Sequence, residues 1–419
     1  MTTSVSIPDT MRALVLSGRG FEHLAVRRVP TPHPGPRQLL VRVDAAGICT
    51  SLIKLIEQGG DHSLLYDWDL ARYPLILGDE GSVTVMVVGE ELRDRYHPGE
   101  RYVVQPAVDH SPLNHRERYR DGGAGVFKLG VGYTLPGHLA EYLLITEEIL
   151  EAGCLLPLPS DDIAYAHAAM SEPFSCAVSA QEHHLHLVQA NPLEPRTPIK
   201  GLKPGGVTLV VGAGAMGRMH VDLALASGPR SIVVTDVLAA RLERTRTLFE
   251  QRADELGVAL YTLNPTEREV KSFLDDLTGY RGADDVIVAV GATAAVEEAQ
   301  LWVARGGVLD LFGGFKRGGE VLSLDGNIVH YRETVVTGSS GGSPWDVART
   351  LELMAAAAVD MSGHITRIGD LEHATEFLAM VKRRELDGKA VIYPHWRKED
   401  ILVVDAWTLE DERVYLGDG

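Results

Sequence analysis

Val207-Thr-Leu-Val-Val-Gly-Ala-Gly-Ala-Met-Gly217 is the most informative segment of this chain. Five apolar or β-branched residues run into Gly212-x-Gly214-x-x-Gly217, and an apolar, helix-like stretch from His220 to Ala226 follows. A second apolar run, Ser231 to Thr235, ends on Asp236. In such a strand–turn–helix the first glycine makes the tight turn and the second lets the backbone approach a pyrophosphate. The third lets helix and strand pack closely, and the helix N-terminus faces the phosphate charge. An acid about 20 residues on accepts the adenosine ribose hydroxyls. A glycine triplet alone is a weak signal and fits an ordinary βα turn. With strand, helix and acid in this order it implies a nicotinamide dinucleotide site and redox chemistry.

Beyond Asp236, Leu260–Leu263, Asp285–Val290, Gly307–Phe312 and Thr334–Gly338 supply further strands, for six parallel strands in a doubly wound α/β sheet. A long Arg- and Glu-rich amphipathic helix is expected from just after Asp236 to about Leu256. The first part of the chain reads differently. Met11–Leu16, Gln38–Ala45, Gly81–Gly89 and Arg101–Pro106 are short apolar or alternating runs between Gly and Pro signals, the pattern of a small barrel-like β domain. Ile163–Met170 and Ser175–Leu187 are expected to be helical, as is Trp345–Ala357. Ile365–Pro394 reads as strand, helix and strand, returning the chain to the first domain. The boundaries expected are 1–177 for the β-rich domain, 178–348 for the dinucleotide domain, 349–395 for the return and 396–419 for an acidic C-terminal extension. An edge strand or a subunit contact is the plain reading of that extension.

Composition bounds the function. The 419 residues suffice for two cores, and 45% hydrophobic with 23% charged residues is ordinary for a water-soluble enzyme. A net charge of −18 argues against nucleic-acid or anionic-membrane partners, which reward Lys and Arg. No apolar run approaches the roughly 20 residues of a bilayer span. Met1–Thr10 has neither the basic nor the apolar part of a signal peptide. Three cysteines, Cys49, Cys154 and Cys176, cannot build a disulfide framework, so a cytoplasmic protein is expected.

Three further segments carry candidate chemistry: Gly47-Ile-Cys-Thr-Ser51, Gly78-Asp-Glu-Gly81 and Ser171-Glu-Pro-Phe-Ser-Cys176. Singly, each has a plainer reading: small buried cysteines, turn carboxylates, an acid at a helix start. Together with the dinucleotide unit the chain, from about Met11 to Pro394, resembles the medium-chain dehydrogenase/reductase superfamily of zinc alcohol and polyol dehydrogenases. Gly388-Lys-Ala-Val-Ile-Tyr-Pro394 resembles its closing segment. The resemblance implies a doubly wound Rossmann domain with a β-rich GroES-like catalytic domain. It makes Cys49 the first zinc ligand and Ser51 the hydroxyl that hydrogen-bonds the substrate oxygen. Asp79 stands where the superfamily usually has histidine, with Glu80 beside it as a fourth or exchanging ligand. Glu172 matches the ligand glutamate of the sorbitol dehydrogenase branch. Tyr96–Pro106, Leu150–Pro157 and His330-Tyr with Val336–Gly342 are similar to the group of sorbose-1-phosphate reductase.

The resemblance also implies catalytic roles for Cys49, Ser51, Lys54, Glu80 and Glu172, metal ligation by Cys49, Asp79, Glu80 and Glu172, and cofactor contacts from Gly212, Gly214, Met216, Gly217, Asp236, Arg241, Val290 and Gly291. Lys54 stands where many members have a relay histidine; it can relay protons, attract an anionic substrate, or be a solvated surface lysine. The four-cysteine lobe of a structural zinc is missing, so one zinc and no second is expected. NAD is expected over NADP, because Asp236 repels a 2′-phosphate, with Arg241 as a counterweight. The expected partner is a polyol, cyclitol or ketose, with or without phosphate, and the expected assembly a homodimer or homotetramer. His110, His115, Arg116, Arg118 and Arg120 lie between Asp109 and Lys128, a basic segment suited to phosphate or to acids of another subunit. Two rivals remain open: a metal-free reductase using the same acids, and a non-catalytic NAD-binding protein.

Overall fold

The computed structural model describes residues 7–109, 128–315 and 318–417. The basic residues between Asp109 and Lys128 lie outside the described residues. The chain forms two compact units. One comprises Met1–Pro173, Ser343–Ala355 and Met361–Gly419; the other comprises Phe174–Gly342 with Ala356–Asp360. No helix among the described residues is long and apolar enough to cross a membrane.

The first unit is built on an eight-stranded sheet. Its spatial order is Leu155–Pro157, Arg101–Val104, Glu80–Val88, Leu39–Gly47, Lys389–Tyr393, Ile365–Asp370 and Leu402–Val403, with Tyr142–Ile145 also paired to Leu39–Gly47. Leu39–Gly47 is the hinge of this arrangement. Its last residue, Gly47, lies opposite Glu80 on one side and opposite Val391 on the other. Antiparallel register therefore brings three distant segments to one sheet end. A core of Leu14, Val41, Val43, Leu52, Leu55, Ile56, Val83, Phe377 and Ile392 underlies them, each essentially without solvent exposure. The helix Ser51–Gln58 follows the Gly47–Ser51 turn and buries Leu52, Leu55 and Ile56, an i, i+3, i+4 stripe. The strand Leu24–Pro30, paired with Thr10–Leu16, has no counterpart among the expected strands. It is largely half-buried or exposed, so its apolar contrast is weak.

The second unit carries the six-stranded parallel sheet, in the order Ala259–Leu263, Ser231–Thr235, Val207–Val211, Ala283–Val288, Val303–Asp310, Val335–Thr337. This is the doubly wound order, reversing direction beside the central strand Val207–Val211. One expectation fails here. The helix assigned to Ser175–Leu187 spans Ser171–Glu182 instead, and Leu185–Val188 is a strand paired antiparallel with Thr197–Lys200. Alternation decides it, because His184 and His186 are buried while Leu187 is 57% exposed.

Those two histidines fasten the hairpin to the sheet. His184 Nδ1 and His186 Nε2 lie 2.7 Å and 2.8 Å from Asp285 Oδ1. His184 Nε2 lies 3.5 Å from Asp310 Oδ2. An ionised carboxylate only accepts, so both ring nitrogens donate to Asp285. Burial alone would lower the His184 pKa, but the bonds and charges of Asp285 and Asp310 outweigh it and carry it up to about 9. Burial likewise would raise Asp285, but the two histidines bring it down to about 2.

The pH dependence has a definite sign. The raised His184 value stabilises fully below its ordinary 6.5 and loses that contribution as pH rises to about 9. The depressed Asp285 value stabilises above 3.8 and loses it as pH falls to about 2. Urea-unfolding stability is expected to drop by roughly 1.4 kcal/mol per unit across the upper window. Asp285→Asn is expected to flatten that slope; an unchanged slope in the variant would show that the network does not set it.

Candidate active site

At the end of the first unit's sheet, Gly47 and Glu80 pair, and Cys49 follows two residues after Gly47 on the turn into Ser51–Gln58. A Cβ at Gly47 would stand 2.0 Å from Glu80 Oε2 and 2.7 Å from Met170 Cε, so any larger residue would displace those side-chain ends. The fully buried Glu80 is held by Lys389. The Lys389 Nζ lies 2.5 Å from Glu80 Oε1 and donates to the Ile48 carbonyl at 3.0 Å. Asp79, 6% exposed, accepts from Ser51 Oγ at 2.7 Å and, more weakly, from the Tyr133 hydroxyl at 3.4 Å. The Ser51 amide approaches Cys49 Sγ at 3.5 Å. Glu172 is half-buried at the start of the helix Ser171–Glu182.

This is a crowded pocket of acidic groups. Burial, followed by the charges of Asp79 and Glu80, pushes the Cys49 thiol well above its ordinary range. Burial raises Glu172 in the same way, again with Asp79 and Glu80 contributing. Burial raises Asp79, opposed by the Ser51 hydrogen bond and then by Lys389, and burial raises Glu80, opposed by Lys389. Burial would lower Lys389, but Glu80 and Cys49 overcome it and keep the ammonium charged.

Two buried oxygens in the pocket, Asp79 Oδ1 and Glu80 Oε2, have no hydrogen-bond partner. Orphaned buried acceptors are costly, and a cation is the natural occupant for a pair of them. One thiolate with carboxylate oxygens is a donor set that suits zinc. With Lys389 neutralising Glu80, three anionic donors (Cys49, Asp79, Glu172) face the two charges of such an ion. Among the described residues, one group of potential ligands has three atoms mutually within 4.8 Å, and it is His184, His186 and Asp285. Its two donors sit at hydrogen-bond length from a single oxygen. A tetrahedral ion with bonds of about 2.0–2.1 Å needs donors wider apart, so that group is an ion-pair network. The ligand atoms of Cys49, Asp79 and Glu172 do not all lie within 4.8 Å of one another, so holding one ion requires their side chains to close in.

Lys54 is exposed on the helix after Cys49, and its charge lowers His62, which burial has already lowered. Lys389 and Tyr133 were not among the sequence candidates. Lys389 had one signal: a lysine inside the apolar strand Lys-Ala-Val-Ile-Tyr, which buried requires an anionic partner. Tyr133 had none.

In the second unit the glycine turn has the geometry its motif demands. Gly212 has φ of 103°, and a Cβ on Gly217 would stand 1.8 Å from the Gly212 carbonyl oxygen. Gly214 caps the helix Ala215–Ala226, with Met216 half-buried in its first turn. The Asp236 carboxylate accepts from the amides of Ala213 and Leu238, both at 2.9 Å, and so braces the turn. Arg241 Nη1 stands 3.6 Å from Asp236 Oδ2. Val290 packs against Gly212, and Gly291 against the Gly314 carbonyl. All eight expected cofactor residues therefore belong to this one unit.

The alcohol dehydrogenase GroES-like domain family matches residues 35–157, and the zinc-binding dehydrogenase family matches residues 215–356. A mannitol-1-phosphate 5-dehydrogenase of Aliivibrio fischeri is 30% identical over 384 residues, 90% of this chain and 85% of that protein. An L-sorbose 1-phosphate reductase of Klebsiella pneumoniae is 28% identical, over 88% of this chain and 84% of that protein. The fold matches a galactitol-1-phosphate dehydrogenase from Escherichia coli with a TM-score of 0.68 at 21% identity, over 92% of this chain and 100% of that one.

Removing the Lys389 charge leaves Glu80 buried and uncompensated. Lys389→Met is expected to lose about 3–5 kcal/mol of folding stability by urea denaturation. The double variant Lys389→Met/Glu80→Gln is expected to recover most of it. Equal, additive losses would mean that the two groups do not depend on each other.

Proposed function

The chain belongs to the zinc-type medium-chain dehydrogenase/reductase family, and from that premise we propose that it interconverts a secondary alcohol of a polyol, cyclitol or sugar with its ketone. Hydride passes to or from a nicotinamide cofactor. We place phosphorylated polyols and ketoses first among the substrates, because the relatives described above are named for sugar and polyol phosphates. The observation that carries the reading is the buried pocket of Cys49, Asp79 and Glu80, with its two unpartnered carboxylate oxygens beside the Ser51 hydroxyl.

Cys49, Asp79 and Glu172 would hold zinc, with Glu80 as an exchanging ligand. Bound zinc supplies Lewis-acid polarisation of the substrate oxygen. The protein's own part is proton handling and orientation. Ser51 Oγ, while donating to Asp79 Oδ2, can accept the proton of a substrate hydroxyl on its lone pair and pass its own to that oxygen. Lys389 keeps Glu80 ionised. The polar walls suit a substrate whose neighbouring hydroxyls need partners once buried. In the other unit Asp236 would accept the ribose hydroxyls, with Arg241 moderating the preference for NAD.

The reading is tested by a cofactor-oxidation screen over ketoses, inososes and their phosphates, with ethanol and benzyl alcohol in the reverse direction. Turnover is expected with a polyhydroxylated compound; turnover of simple alcohols alone would refute it. Metal analysis of protein purified without chelator is expected to find one zinc per chain. An active enzyme without metal would transfer the chemistry to the acids themselves. NAD is expected to have the higher kcat/KM, and Asp236→Ser to relax that preference. A strong NADP preference in the unmodified protein would contradict the assignment of Asp236.

A further inference from the structure

The C-terminal helix Leu409–Leu416 docks in an unusual way. Its one buried residue is Glu412, at 2% exposure, while Val414 on the same helix is 69% exposed. An amphipathic helix buries its apolar face; this one buries a carboxylate. Glu412 Oε1 accepts from the Tyr165 amide at 2.6 Å, and Oε2 accepts from the Ala166 amide at 2.8 Å and from the Tyr393 hydroxyl at 2.7 Å. Those amides open the short helix Tyr165–Ala169, where backbone donors have no partner within the helix. Trp407 Nε1 donates to the same Tyr393 hydroxyl at 2.7 Å, and the Trp407 carbonyl lies 2.6 Å from His167 Nε2.

Both segments that meet Glu412 lead to the pocket. Tyr165–Ala169 runs into Glu172, and the joint is fastened by Ser171 Oγ donating to the Ala168 carbonyl at 2.6 Å. Tyr393 ends the strand that begins with Lys389, four residues away and so on the same face. We propose that Glu412 is a positioning residue for the active site, a single carboxylate that fixes the segment delivering Glu172 relative to the strand delivering Lys389. It touches no reacting atom and acts through those two side chains. The inference rests on the assignment of Glu172 as a metal ligand and Lys389 as the partner of Glu80.

The test compares the full-length protein with Glu412→Ala, Glu412→Gln and Tyr393→Phe. Chelator-driven zinc loss is expected to be about tenfold faster in Glu412→Ala, and kcat to fall about ten- to a hundredfold. The Kd for the nicotinamide cofactor is expected to stay unchanged. Gln retains an acceptor and Phe retains the ring, so both are expected to lose less in the same two readouts; they carry the test if Glu412→Ala does not fold. Hydrogen exchange is expected to speed up in residues 165–172 and not in strand Val207–Val211. Folded variants with unaltered zinc retention and kcat would overturn the proposal, as would exchange that speeds uniformly through the chain. An unmodified protein that turns over substrate without metal would refute the metal assignment and this inference with it. Indifferent variants of a zinc-loaded, active protein would refute this inference alone.

Discussion

A buried ammonium among acids is the constraint that the first unit is organised around. Lys389 Nζ meets Glu80 Oε1 at 2.5 Å with both side chains almost wholly removed from water. Neither charge is tolerable there alone: an unpaired buried ion in a protein costs several kcal/mol. The pair lets Glu80 remain anionic beside Asp79, Glu172 and Cys49. That concentration of acidic groups, raised by burial and by one another, is the feature on which the proposed metal site rests. The pair is weak evidence for stability in itself, since an apolar replacement of both partners is often neutral. What it secures is the electrostatic character of the pocket.

Strand register delivers these groups from far apart in the chain. Gly47 opposite Glu80 and opposite Val391 places Cys49, the carboxylates and Lys389 at one sheet end, although more than 300 residues separate Cys49 from Lys389. The return of the chain after the dinucleotide unit is therefore part of the candidate active site. The C-terminal extension continues the same logic, adding Leu402–Val403 at the sheet edge and the Glu412 carboxylate beneath the Glu172 segment.

Much of this was legible in the sequence where local pattern determines structure. The Gly212–Gly217 turn, the five-residue runs on either side and Asp236 are a self-contained unit, and its strand order follows from short right-handed crossovers. Cys49, Ser51, Asp79, Glu80 and Glu172 were legible through the resemblance to a known family and not from residue types alone, and the fold brings Ser51 to Cys49 and to Asp79. What was not legible depends on partners remote in sequence. Lys389 reads as an ordinary strand lysine until Glu80 is placed against it. Glu412 reads as one acid in an acidic tail until Tyr165, Ala166 and Tyr393 surround it. The His184–Glu182 boundary was misread because a helix ending in His-His-Leu-His is as plausible locally as the strand that Asp285 anchors.

The central claim is that a thiolate and carboxylates, with no histidine, form the metal centre, so its ligand set is the quantity to measure. X-ray absorption at the zinc edge, on protein purified without chelator, reads the ligand types directly. One sulfur at about 2.3 Å with oxygen donors at about 2.0–2.2 Å, and no imidazole scattering, is the result expected. An imidazole-containing shell would place the metal at other residues, and the absence of zinc from an active enzyme would contradict the claim outright.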